Sequence, residues 1–111
     1  VRILIDESLP IALALEFFDH DVSTVRAQHW LGLRNGVLLR AAVDAGFDIV
    51  ITADKALRSQ QNLPAIGIAV VLISGVRNRM RDLRPLMPRV LQVLGTVRKG
   101  ELAEIIGIAR R

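Results

Sequence analysis

Gly46-Phe47-Asp48-Ile49-Val50-Ile51-Thr52-Ala53-Asp54-Lys55 is the stretch that decides how this chain folds. A β-branched run bounded by a glycine and by a polar Thr-x-Asp-Lys exit predicts a short strand, buried on both faces, that delivers an acid to its C-terminal tip. Strands of this kind belong to parallel sheets, and open parallel sheets collect ligands at their carboxyl edge. Asp54 is expected on that edge.

Upstream, Arg2 to Asp6 reads as a first strand that runs into Asp6-Glu7. Ser8 then suits an N-cap for a helix over Leu9 to Phe18, whose apolar residues go almost all round and predict burial, in part by a partner chain. Val22 to Val25 is short and mixed, as an edge strand is. Arg26 to Arg34 is an irregular loop carrying Trp30. Asn35 suits an N-cap for a helix from Gly36 to Ala45 that stops at Gly46. Downstream, Asp54 caps a short helix running to about Gln60, and Leu63-Pro64 ends it, because the residue before proline is pushed out of helical geometry. Ile66 to Ile73 is a second buried strand. Leu83, Leu86, Met87, Val90, Leu91 and Leu94 repeat at helical spacing, with Pro85 splitting the run. Glu101 to Ile106 is open between a final edge strand and a helical turn. The alternation of elements predicts one domain over 1–111, a three-layer α/β/α sandwich with a mostly parallel central sheet.

Half of the 111 residues are hydrophobic, enough for one core and too few for two domains. There is no cysteine, so disulfides and thiolate metal sites are excluded, and an intracellular, cytoplasmic setting is the expectation. No apolar stretch reaches the roughly 20 residues a spanning helix needs, and Val1-Arg2-Ile3-Leu4-Ile5-Asp6 does not read as a signal peptide. The net charge of +4 is unevenly placed: residues 1–76 hold 6 basic and 8 acidic side chains, residues 77–111 hold 9 and 3. Acids upstream and arginines downstream suit a metal site that handles a polyanion such as RNA. A solvated basic face explains the charge equally well.

Asp6 and Asp54 are expected to leave neighbouring parallel strands at the same edge, close enough to share Mg2+ or Mn2+, which take hard oxygen ligands. Such an ion activates water and neutralises a phosphodiester as it develops charge. Thr52 is placed to hydrogen-bond a carboxylate and Lys55 to meet a phosphate. Each residue also has a plainer reading. Asp54 and Asn35 are equally explained as helix caps, Asp48 as turn chemistry, and Glu7 as a charge favouring the next helix N-terminus. Two acids at two strand tips also occur in receiver-like and phosphatase-like sites. His20 and His29 are too isolated to form a metal pair, and Trp30 anchors its loop or stacks on a base.

The motifs Ile3-Leu4-Ile5-Asp6-Glu7-Ser8-Leu9-Pro10, His20-Asp21-Val22, Trp30-x-Gly32-Leu33-x-Asn35-Gly36-x-Leu38-Leu39, Phe47-Asp48-x-x-x-Thr52-x-Asp54, Gln60-Gln61-Asn62-Leu63 and Asn78-Arg79-x-x-Asp82-Leu83-x-Pro85-Leu86 follow one another along nearly the whole chain. In order and spacing they resemble the small PIN-like proteins grouped with VapC-type toxins. The resemblance implies a prokaryotic metal-dependent endoribonuclease, the toxin of a type II toxin-antitoxin pair, with an RNA substrate and a cognate antitoxin protein. It implies catalytic roles for Asp6, Glu7 and Asp54, with Asp6 and Asp54 as metal ligands and Asn35, Thr52, Lys55 and Gln61 in support. Arg77, Arg79, Arg81 and Arg84 are then the expected RNA or antitoxin contacts. The chain departs from the pattern in its acids: the helix before the Asp54 strand begins with Asn35-Gly36 and offers only Asp44 near its far end. A PIN-like module that binds RNA or protein without turnover is therefore the alternative reading. The apolar first helix and the Leu/Val stripe of 83–94 predict a homodimer.

Overall fold

The computed structural model describes residues 1–59 and 61–107, so the expected helix end at Gln60 lies outside the described residues. Five strands, β1 (Arg2–Ile5), β2 (Asp21–Thr24), β3 (Ile49–Thr52), β4 (Ala69–Ser74) and β5 (Leu102–Ile106), form one sheet in the order β2-β1-β3-β4-β5. Every pairing is parallel, so the sheet is uniformly rather than mostly parallel. β3 lies at its centre and is buried along its whole length, as its β-branched run predicts. Glu101–Ile106 resolves as a strand: β5 pairs with β4 from Val70↔Leu102 to Ser74↔Ile106 and closes the sheet at the edge opposite β2.

Alternate strand residues feed two cores. Ile3, Ile5, Ile49, Ile51, Val71 and Ile73 face the first; Leu4, Val50 and Val70 face the second. The second core is covered by α1 (Asn35–Asp44) through Leu38, Leu39 and Ala42, with Leu57 and Leu63 beside them. Over the first core lie a 3-10 helix (Ile11–Glu16) and the segments α3 (Met80–Leu83) and α4 (Met87–Leu94), joined by a 3-10 turn at Arg84–Leu86 where Pro85 interrupts the run. This is the expected three-layer α/β/α sandwich. No helix among the described residues is long and apolar enough to cross a membrane.

Several local expectations are corrected. The first helix is a tight 3-10 turn without a side-chain cap, preceded by Pro10 rather than opened by Ser8. It buries Leu9, Leu13 and Phe17 and leaves Ile11, Leu15 and Phe18 at 55%, 74% and 87% exposure, since a helix apolar all round presents only one side to the sheet. Asn35 is the first residue of α1 and not its cap. Leu63-Pro64 begins a short helix, α2 (Leu63–Ile66), instead of ending one: proline is tolerated in a first turn, and Asn62 Oδ1 accepts the Ala65 N–H at 3.3 Å. Ile66 thus belongs to α2, and the strand starts at Ala69. Leu83, Leu86, Met87, Val90 and Leu94 are core residues, so that stripe is no free surface for a second copy.

Candidate functional site

The sequence order runs outward from β1 to β2 on one side and through β3, β4 and β5 on the other, so the chain reverses direction across the sheet between β1 and β3. Ligands of open α/β sheets bind outside the carboxyl ends of the strands at such a switch point. Asp6 follows β1 and Asp54 follows β3 by two residues. The expected pair of acids therefore stands at the same edge, at the switch point.

Asp6 is 6% exposed. Its Oδ2 accepts the Ser8 hydroxyl at 2.7 Å and the Thr52 hydroxyl at 2.8 Å, which is how a carboxylate is retained in a largely buried place. Oδ1 accepts no hydrogen bond among the described residues. Thr52 Oγ1 also accepts the Asp54 N–H at 3.0 Å, and Ser8 Oγ accepts the Ala53 N–H at 3.0 Å, so two hydroxyls tie the tips of β1 and β3 together. Thr52 supports the site as expected. Ser8 does so too, although its position before a helical run argues for a cap.

Asp54 does two jobs at once. Its Oδ1 accepts the Ala56 N–H at 3.0 Å, capping the 3-10 helix Lys55–Arg58, while Oδ2 accepts the Asn35 side-chain amide at 3.0 Å. Asn35 makes this bond rather than capping its own helix. Asp54, Asn35, Gly36, Gln61 and Glu7 line one depression of about 480 Å³ together with Arg34. Gly36 lets Gln61 in: a Cβ at that position would stand 3.0 Å from Gln61 Oε1. Glu7 Oε1 accepts the Gly32 N–H at 3.1 Å, which holds the Trp30–Leu33 loop at the rim. Trp30 packs edge-on to Phe47 with centroids 6.2 Å apart, so it anchors that loop to the second core.

Asp6 lines a neighbouring depression of about 230 Å³, with Glu7, Thr24 and Arg26 among apolar walls. Glu7 borders both depressions; Asp6 and Asp54 each border one. Among the described residues no three His, Cys, Asp or Glu side chains gather as a metal-holding group. The Asp54 depression offers the carboxylates of Asp54 and Glu7 and the side-chain amides of Asn35 and Gln61, oxygen donors of the type that hard cations take, and Asp6 stands in the neighbouring one. Asp48 sits at the opposite, amino edge, where its Oδ2 accepts the Arg2 N–H at 2.8 Å, in keeping with its plainer reading.

The arginines after β4 are divided. Arg79 pairs with Asp82 and Arg84 with Glu16, the latter at 3.8 Å, whereas Arg77 lines a third depression beside Lys55. Arg81 is exposed.

A carboxylate absent from the expected set is Glu104 on β5. It accepts the Ser74 hydroxyl at 2.6 Å and Arg58 Nη1 at 3.1 Å. The Ser74 bond, against the cost of desolvation and aided by Arg58 and Lys55, holds its carboxyl below the usual range. Its one sequence signal is that strand alternation sets an acid between Leu102 and Ile106 at the sheet's last edge. No family model, curated protein or solved structure matches this chain.

Proposed function

We propose that the chain is a metal-dependent endoribonuclease acting at the carboxyl edge of β1 and β3, the toxin of a type II toxin-antitoxin pair. The observation that carries this reading is the convergence of Asp6 and Asp54 on the switch point, each oriented by fixed donors: Ser8 and Thr52 for Asp6, Asn35 and the Ala56 N–H for Asp54. Asp54 and Glu7 would hold Mg2+ or Mn2+ from their shared depression, and Asp6 would join them from the neighbouring one that Glu7 also borders. A divalent ion there supplies charge for a phosphoryl oxygen and acidifies water. The residues contribute orientation. Asn35 and Thr52 keep the acids from rotating, and Glu7 holds the Gly32 loop at the rim. The exposed Ile11, Leu15 and Phe18 face supports a homodimer, and an acidic antitoxin segment would meet Arg77 and Arg81, which form no ion pair among the described residues.

The test is Asp54→Asn. Asparagine still caps a helix, so the fold is spared while one carboxylate is lost. Mn2+-dependent cleavage of RNA and toxicity should disappear; undiminished cleavage overturns the assignment.

One observation favours a second reading, a module that binds RNA or protein without turnover: no group of three acids gathers among the described residues. Under that reading the wild-type chain cleaves no RNA with Mn2+ in excess and still retains its partner.

A further inference from the structure

A depression of about 410 Å³, separate from the two that the Asp6 and Asp54 carboxylates line, is lined by Lys55, Ser74, Gly75, Arg77 and Asn78 with the apolar Ala53, Ile73 and Val76. Two cations, a hydroxyl and an amide face it, and none of its lining residues is acidic. Its walls are braced. The Ser74 carbonyl accepts the Gly107 N–H at 2.8 Å, and Gly75, at φ +82°, lies so close to Gly107 that a Cβ there would overlap the Gly107 carbonyl oxygen. Ser74 Oγ is held by Glu104, and the Glu104 charge is itself matched by Arg58. Among the described residues Lys55 and Arg77 form no ion pair, and both are exposed.

We propose that this depression binds a phosphate of the RNA backbone other than the one attacked, so that the chain grips its substrate beside the acids as well as at them. The inference rests on the ribonuclease reading for the identity of the strand. The chemistry is that of phosphate recognition: Arg77 offers a planar fork and Lys55 a point charge, either side of the Ser74–Gly75 backbone that Gly107 and Glu104 brace. A polyacidic peptide fits less well. It carries charge all along its length, and Asp54 and Glu7 repel it on the adjoining edge, whereas a nucleic-acid strand sets neutral sugars and bases between its phosphates.

The experiment uses the full chain in EDTA, so that binding is read without metal or cleavage. Inorganic phosphate and a short oligouridylate are titrated while backbone-amide NMR is followed. Both should shift the amides of Lys55 and Ser74–Asn78. The double variant Lys55→Ala, Arg77→Ala should bind the oligouridylate about tenfold more weakly at low salt and lower the magnitude of the log–log salt slope by about 0.7, the value for one phosphate of a single strand. Reading binding in EDTA separates this site from the cleavage assay: loss of that reading leaves these results standing. Shifts confined to other residues, an unchanged salt slope in the double variant, or an oligoglutamate that shifts these amides when oligouridylate does not, each overturns the proposal.

Discussion

Thr52 Oγ1 donates to Asp6 Oδ2 over 2.8 Å, across the boundary between β3 and β1, while it accepts the N–H of Asp54 at 3.0 Å. One fully buried hydroxyl therefore links the two acids through hydrogen bonds made in both directions. Thr52→Val keeps the shape and removes both bonds. Asp6 Oδ2 keeps the Ser8 hydroxyl, but the Asp54 N–H loses its acceptor, and a donor left without its partner in a buried place costs about 1–3 kcal/mol. Urea unfolding should show that loss, and Thr52→Ser should recover most of it. A valine variant as stable as wild type would mean that the acids are held by other groups.

The β3 strand and its Asp54 exit are legible because burial on both faces leaves a signature in the sequence itself, Ile49-Val50-Ile51, with the polar turn after it. What a polar side chain does at such an exit is not. Ser and Asn are the residue types of helix caps and also of carboxylate donors, and local sequence does not say which acceptor wins. Asn35 turns to an Asp54 that lies 19 positions away and is brought near by tertiary structure, while Ser8 turns back to Asp6, two positions before it. Glu104 stayed hidden because a five-residue run of mixed character fits strand and helix alike. Leu83 to Leu94 shows the same limit: helical spacing marks an apolar face without saying whether the chain's own sheet covers it.

Asn35→Asp tests whether a cation sits at Asp54. The substitution replaces an amide donor at 3.0 Å with a second carboxylate, so like charges meet and the variant should melt below wild type in EDTA. Added Mn2+ should restore or exceed the wild-type melting temperature, because a ligand of the folded state alone stabilises by mass action. A melting temperature indifferent to Mn2+ would count against any hard-cation site in this depression.

Two glycines should answer oppositely to alanine. Gly36 lies within α1, where alanine is favoured by up to about 1 kcal/mol, and the atom in its way is the movable end of Gln61. Gly36→Ala should thus be neutral or mildly stabilising in unfolding and yet lower RNA cleavage, because Gln61 is displaced from the depression it shares with Asp54. Gly75→Ala meets the Gly107 backbone at a left-handed φ, and should destabilise by more than about 2 kcal/mol. Undiminished cleavage by Gly36→Ala would refute the assignment of Gln61 to the site, and a Gly75→Ala variant as stable as wild type would refute the close approach of Gly107.

Self-association is tested on the exposed side of the Ile11–Glu16 helix. Leu15→Glu with Phe18→Glu removes two large apolar groups that touch neither core, so thermal stability should hold while light scattering shows a dimer becoming a monomer. A wild-type chain that is already monomeric at high concentration sinks the homodimer.

The acid limb of the stability curve should carry the mark of Glu104. Its carboxyl lies below the usual range because the Ser74 hydroxyl donates to it, with Arg58 and Lys55 adding charge. A depressed folded value means that the unfolded chain binds the proton more tightly. The stabilisation is therefore complete above the unfolded carboxyl value and is lost as pH falls through the folded one. Glu104→Gln keeps a hydrogen-bond acceptor for Ser74 and removes the charge that titrates, so the drop in melting temperature between about pH 7 and about pH 3 should be smaller than in wild type. Salt distinguishes the partners: the half-exposed Arg58 contact is screened, whereas the 2.6 Å Ser74 bond is not. A wild-type acid limb that persists in salt but flattens in Ser74→Ala assigns the depression to the hydroxyl, and superposable limbs for wild type and Glu104→Gln would remove Glu104 from the account.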